Sequence, residues 1–236
     1  MKNLIKIFTV IVLVVLFTVD TQAQVKFGVK AGVNFNDIAQ NIKSNELEFD
    51  SKMGIGYHAG ALIDYSFNEE MGLQSGIIWN RKGFDADGFS YYGFDIDADI
   101  SAFLNYIEIP LHFVYKLNSF QFYAGPYFAF GLGGVMEVIV NNNNYDIDVS
   151  RDIELIPVYG EVDEDDYDND EMPVRGFDYG IDFGLGYELG PVLLNAGYSI
   201  GLGNITPNYT DPDIDPKDEK RSNRVITVSV AYMFGK

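Results

Sequence analysis

Residues 25–35, VKFGVKAGVNF, alternate without a break. Val25, Phe27, Val29, Ala31, Val33 and Phe35 fall on one side, and Lys26, Gly28, Lys30, Gly32 and Asn34 on the other. Strict period-two alternation predicts a β-strand with one apolar and one polar face. What it leaves open is which face meets water. In a soluble sheet the apolar side turns inward to a core; in a membrane barrel it turns outward to lipid.

Seven further stretches carry the same pattern. They run over 53–67, 71–82, 104–116, 120–132, 177–189, 192–202 and 226–234, so eight crossings are predicted. Their connections alternate in length. NEE, LNS and GP join the second to third, fourth to fifth and sixth to seventh stretches, whereas the other gaps run to about 17–40 residues. Short turns on one side and long loops on the other predict an all-β, eight-stranded, antiparallel up-and-down transmembrane barrel. Alternation also persists in places between Val138 and Val149. That segment is read as an outward hairpin extension around Asn141 to Asn144 rather than a ninth crossing, which would put Arg151 near lipid.

A lipocalin-like barrel has the same strand count, and chemistry separates the two. The polar face is rich in glycine, at Gly54, Gly56, Gly60, Gly180, Gly184, Gly186, Gly197 and Gly201. Glycine weakens a solvated strand, but inside a narrow eight-stranded bore it makes room for larger neighbours. The other face carries almost no charge, as lipid demands, and its Phe and Tyr rows are too bulky to share one cavity. Tyr57, Tyr65, Tyr115, Tyr187, Tyr232 and Trp79 suit interfacial aromatic girdles.

The first 23 residues read as a secretory signal peptide: Lys2 and Lys6, an apolar run from Ile7 to Val19, then small residues ending at Ala23. Residues 24–236 then form the barrel domain, localised to a bacterial outer membrane. Removing Lys2, Lys6 and Asp20 leaves 14 basic and 34 acidic residues, a net charge of −20. That charge argues against nucleic acid as a partner. The chain has no cysteine, hence no disulfide and no lipidated anchor.

The lumen-facing positions collect Lys26, Lys30, His58, Asp64, Lys82, Glu108, His112, Lys116, Asp178, Asp182 and Glu188. Near-balanced charges in a bore this narrow predict a structural ionic plug in which Glu108 pairs with lysine; an ion path or proton relay is the alternative. Both histidines lie on predicted strands, away from the long loops, which disfavours Ser-His chemistry at the rim. No enzymatic activity and no cofactor are expected. The predicted loops are acidic, with Asp85 and Asp87, then Asp95, Asp97 and Asp99, then Asp211, Asp213 and Asp215. Alternate Asp95, Asp97 and Asp99 could gather oxygens around calcium, although the turn glycine and final Glu of an EF-hand are missing. A solvated acidic surface is the plainer reading.

YIEIPLHFVYKL (106–117) followed by FQFYAGPYFAFGLGG (120–134), with FDYGIDFGLGYEL and the terminal VSVAYMF, resembles the PorT-like outer-membrane β-barrel family of the Bacteroidetes type. The resemblance implies location and fold, and function only loosely. It makes an accessory role in a protein export machine an alternative to a structural or surface-interaction role, with a rim enzyme a third. The expected partners are outer-membrane lipid, other envelope or export proteins, and divalent cations at the loops.

Overall fold

The computed structural model describes residues 24–42, 47–91, 94–142, 147–163, 166–210 and 219–235. The predicted signal segment, residues 1–23, lies outside the described residues, as do Asp211, Asp213 and Asp215. Eight strands close a ring: β1 (Gln24–Ile42), β3 (Gly54–Ser66), β4 (Met71–Tyr91), β5 (Phe94–Leu117), β6 (Phe120–Asn142), β10 (Phe177–Leu189), β11 (Val192–Gly201) and β13 (Glu219–Phe234). Neighbours pair antiparallel in the order β10-β11-β13-β1-β3-β4-β5-β6, and pairing of β6 with β10 from Phe120↔Tyr187 to Phe130↔Phe177 shuts the barrel. These are the eight predicted crossings.

One end of the ring is tight. Asn118 and Gly190 lead two of its three short turns with left-handed φ values of 55° and 62°, a conformation that Asn and Gly adopt most readily. Counted from that end, each crossing presents an apolar outward face over 11 residues, as from Val25 to Phe35, Ile107 to Leu117 and Phe120 to Phe130. Ten rises of about 3.3 Å at a tilt of about 45° give a band of about 25 Å, the height of a lipid-facing barrel belt. Phe27 and Ile77, 59% and 62% exposed, lie in that belt. Tyr65, Tyr115, Tyr187 and Tyr232 line its tight end, and Tyr57 packs on Trp79 at 5.2 Å toward the other.

The inner face is filled. Tyr127, Lys82, Gln121, Asn34 and Asp178 are completely buried. Glycine provides the space. A Cβ added to Gly197 or Gly184 would lie 2.1 or 2.5 Å from the Tyr123 hydroxyl, and one on Gly180 would lie 2.6 Å from the Tyr127 ring. Gly197→Val should therefore overpack the bore and cost about 1–3 kcal/mol. Urea unfolding of the reconstituted barrel measures this, and a Tyr123→Leu background should return part of the loss.

Pro110 and Pro126 sit where the ladder lapses without slipping. Pairing of β4 with β5 skips from Ser75↔Leu111 to Ile78↔Glu108, and pairing of β5 with β6 skips from Pro110↔Tyr127 to Phe113↔Ala124, each in constant register. The Ser75 hydroxyl donates to the Pro110 carbonyl at 2.7 Å. The actual bulge lies further out, where Asn105↔Gly133 is followed by Tyr106↔Gly131. Gly133 adopts φ 120°, open in practice to glycine alone.

Beyond the belt the expectation of long loops is corrected. Asp85 to Tyr91 and Phe94 to Leu104 are paired strand, and β4, β5 and β6 run on as hairpin walls, joined by β2 (Leu47–Lys52) and β7 (Ile147–Val158). β7 pairs antiparallel with β6 from Gly134↔Leu155 to Asn142↔Ile147, as the predicted hairpin requires, while Asn143 and Asn144 of its turn lie outside the described residues. On β5, the 13 residues beyond the crossing run about 40 Å further along the strand. Period-two alternation simply continues there with its faces exchanged. Ala86, Ala98, Ile100, Ala102 and Leu104 are buried, whereas Asp87, Asp99, Glu137, Asp152 and Glu154 are exposed. Apolar-out and polar-in becomes apolar-in and polar-out where lipid ends and water begins.

Three short strands complete the outer storey. β8 (Glu161–Val162) pairs with β12 (Asn208–Tyr209), and β9 (Glu171–Arg175) pairs parallel with β7. The Arg175 amide donates to the Ile205 carbonyl, and the Ile205 amide to the Arg221 carbonyl, linking β9 to β13. Leu104, Tyr106, Tyr127, Ala129 and Leu155, with Met136, Met172 and Val174 against them, form an apolar cluster across the outer end of the bore.

Candidate functional site

The polar residues of the lumen form three tiers. At the tight end, Lys116 Nζ reaches Asp64 Oδ1 at 3.2 Å, Ser66 Oγ at 3.4 Å and Glu188 Oε1 at 3.9 Å. Gln74 donates to Asp64 Oδ2, and Lys26 lies opposite Asp64 in the β1–β3 register. Four predicted residues, Lys26, Asp64, Lys116 and Glu188, bear on this tier because β1, β3, β5 and β10 all point their polar parity inward.

The middle tier holds the histidines. His112 Nε2 donates to Asp182 Oδ2 at 2.9 Å, and its ring stacks on Tyr123 with centroids 4.9 Å apart. His58 Nδ1 donates to Asn34 Oδ1 at 2.7 Å. Lys30, His58, Glu108, His112 and Asp182 surround a cavity of about 30 Å³. That is room for one or two waters. His58 Nε2 and Asp182 Oδ1 have no partner among the described residues, so a water in this cavity would satisfy them.

The outer tier centres on Lys82. Its ammonium lies 2.6 Å from Glu108 Oε2 and 3.6 Å from Asp178 Oδ2, and 4.0 Å from the centre of the Tyr127 ring. Asp178 also accepts from Tyr127 Oη at 3.0 Å and Asn223 Nδ2 at 2.9 Å. Asn34 donates to Asn80 at 2.6 Å, and Asn80 to Glu108 at 3.1 Å. A polar chain thus runs from His58 through Asn34, Asn80, Glu108, Lys82 and Asp178 to Tyr127 and Asn223. It ties β3, β1, β4, β5, β10, β6 and β13 together.

All eleven lumen positions predicted therefore lie off the lipid face, and the structure divides them among these tiers. Asn34, Asn80, Gln121, Tyr127 and Asn223 belong with them although the charge pattern did not single them out. Their inward strand parity was the available signal. The calcium candidates stand elsewhere. Asp95, Asp97 and Asp99 are alternate residues of β5 in the outer wall, on strand rather than loop. Asp99 is exposed, and the side chains of Asp95 and Asp97 lie outside the described residues. Among the described residues, no three His, Asp or Glu side chains converge as a metal site.

Chemically this arrangement is a seal. Fully buried Tyr127, Gln121 and Lys82 obstruct the bore, and its two small cavities of about 30 and 20 Å³ fall far short of an aqueous channel.

A family model described as outer membrane protein beta-barrel domain matches residues 21–207. The chain belongs to this family. It is accordingly an integral protein of the bacterial outer membrane, in contact with membrane lipid along its belt. No curated protein matches the sequence. Among solved structures, it is similar to Ail, the attachment invasion locus protein of Yersinia pestis, at 14% identity and a TM-score of 0.40, covering 89% of this chain and 99% of that one. Neisserial surface protein A is 14% identical with a TM-score of 0.42, covering 88% and 97%. OprG from Pseudomonas aeruginosa is 13% identical with a TM-score of 0.41, covering 91% and 98%. Membership rests on the family model and the closed ring of strands, not on these distant likenesses.

Proposed function

We propose that this protein is a sealed, non-catalytic membrane anchor that holds an acidic β-wall outside the cell as a surface for interaction. The observation that carries this reading is the exchange of faces along β4, β5 and β6. Below the exchange the strands bury an ion-paired network that closes the bore; above it they bury an apolar core and expose carboxylates. Glu137 stands opposite Asp152 in direct cross-strand register. Like charges so placed oppose folding. A wall that keeps them is suited to cationic partners, whether proteins or divalent ions.

The motifs shared with PorT-like barrels support an export accessory as the second reading, with the wall docking other envelope proteins. Two measurements test the proposal. The purified barrel in planar bilayers should give no unitary conductance, and steady openings would overturn the anchor reading. Capture from mildly solubilised membranes tests the wall. A defined complex whose loss stops secretion would favour the export reading, and turnover of a labelled lipid or peptide would restore the rim-enzyme reading.

A further inference from the structure

Two arginines mark the outer limit of the lipid belt. Arg81 is the eleventh residue of its crossing counted from Met71, and Arg224 the eleventh counted back from Phe234. Their settings differ. Arg224 is satisfied within the molecule: Nη1 donates to the carbonyls of Gly201 and Asn223, both at 2.9 Å, and contacts Ser222 Oγ at 3.2 Å. It also stands opposite Asp37 in the β1–β13 register. Arg81 instead rests on rings. Its guanidinium carbon lies 4.3 Å from the centre of Phe103 and 5.7 Å from that of Tyr57. Among the described residues, no side-chain or carbonyl oxygen accepts from it.

Aromatic faces hold a guanidinium plane but leave its N–H edge unsatisfied. A half-buried cation at the depth where acyl chains give way to headgroups needs an anion, and guanidinium N–H groups match phosphate oxygens in a bidentate fork. We propose that Arg81, with Tyr57 and Trp79 beside it, binds the phosphate of a phosphomonoester lipid in the outer leaflet. The apolar belt at Ile77 receives the acyl chains. The lipid, not free phosphate, is the occupant because a mature chain of net charge −20 repels dissolved anions, while a membrane supplies phosphate at this depth. The inference rests on the membrane anchor proposed above.

Trp79 is the sole tryptophan and lies two residues from Arg81, so it reports on the site. The mature chain is reconstituted in phosphatidylcholine vesicles containing a minor fraction of brominated phosphatidic acid. Quenching of Trp79 should correspond to about fivefold enrichment of phosphatidic acid over its bulk fraction, the effect expected of one cation at a membrane surface. Arg81→Gln should return it to the bulk value, Arg81→Lys should keep part of it, and inorganic phosphate in the buffer should not change it. Quenching at the bulk fraction in the wild type, enrichment intact in Arg81→Gln, or displacement by inorganic phosphate would each overturn the proposal. Brominated phosphatidylcholine separates the two readings: if it fails to quench Trp79, the membrane anchor itself is wrong. Heat-dependent gel migration verifies that both variants are folded.

Discussion

Lys82→Met is expected to destabilise the barrel by about 3–5 kcal/mol, the range for removing one partner from a buried charge group. Lys82 is 1% exposed and is shared by Glu108 of the neighbouring strand β5 and Asp178 of β10, three strands round the ring from β4. Methionine keeps much of the stem packing but leaves two carboxylates without their cation. Asp178 retains hydrogen bonds from Tyr127 and Asn223; Glu108 retains only the Asn80 amide among the described residues. Glu108 should therefore carry most of the penalty.

Equilibrium unfolding in urea measures it, and a double-mutant cycle assigns it. Adding Glu108→Gln to Lys82→Met should recover part of the loss, with a coupling of about 1–3 kcal/mol. If Lys82→Met unfolds within about 0.5 kcal/mol of the wild type, the outer tier does not hold the barrel together and the plug is incidental. Conductance should stay absent in this variant, since Tyr106 and Tyr127 still fill the bore.

The membrane storey was legible because lipid imposes a rule on every strand. Val25 to Phe35 already separates an apolar face from a polar one, and seven other stretches repeat it, so strand number, order and orientation followed. The lumen pairings were less accessible. That Glu108 faces inward is a matter of parity; that its cation is Lys82 and not Lys30 or Lys116 depends on shear around the ring, which no single strand encodes. The outer walls were missed for a different reason. Asp95, Asp97 and Asp99 looked like loop because carboxylates suggest solvent, yet Ala98 and Ile100 on either side of Asp99 are buried. Gly133 adds to the difficulty: its bulge shifts β6 by one residue, so even positions such as Phe128 face out below it and odd positions such as Val135 above it.

That exchange of faces yields the sharpest contrast available. Ile77→Arg and Val135→Arg place the same cation on outward, exposed positions, 62% and 51% accessible, of neighbouring parts of the sheet. In a soluble protein both would be nearly neutral. With lipid around the belt, Ile77→Arg should cost about 2–4 kcal/mol, because it lies near mid-crossing, the seventh residue counted from Met71. Val135 lies five residues past Phe130, the final outward position of the β6 crossing, beside exposed Glu137 and Glu154. There an arginine meets water and carboxylates, and the change should stay within about 0.5 kcal/mol. Unfolding both variants from vesicles gives the answer. Equal penalties would mean that lipid covers the wall as well, and two neutral results would mean that lipid covers neither face; only the unequal pair fits a belt that ends between Arg81 and Asp85.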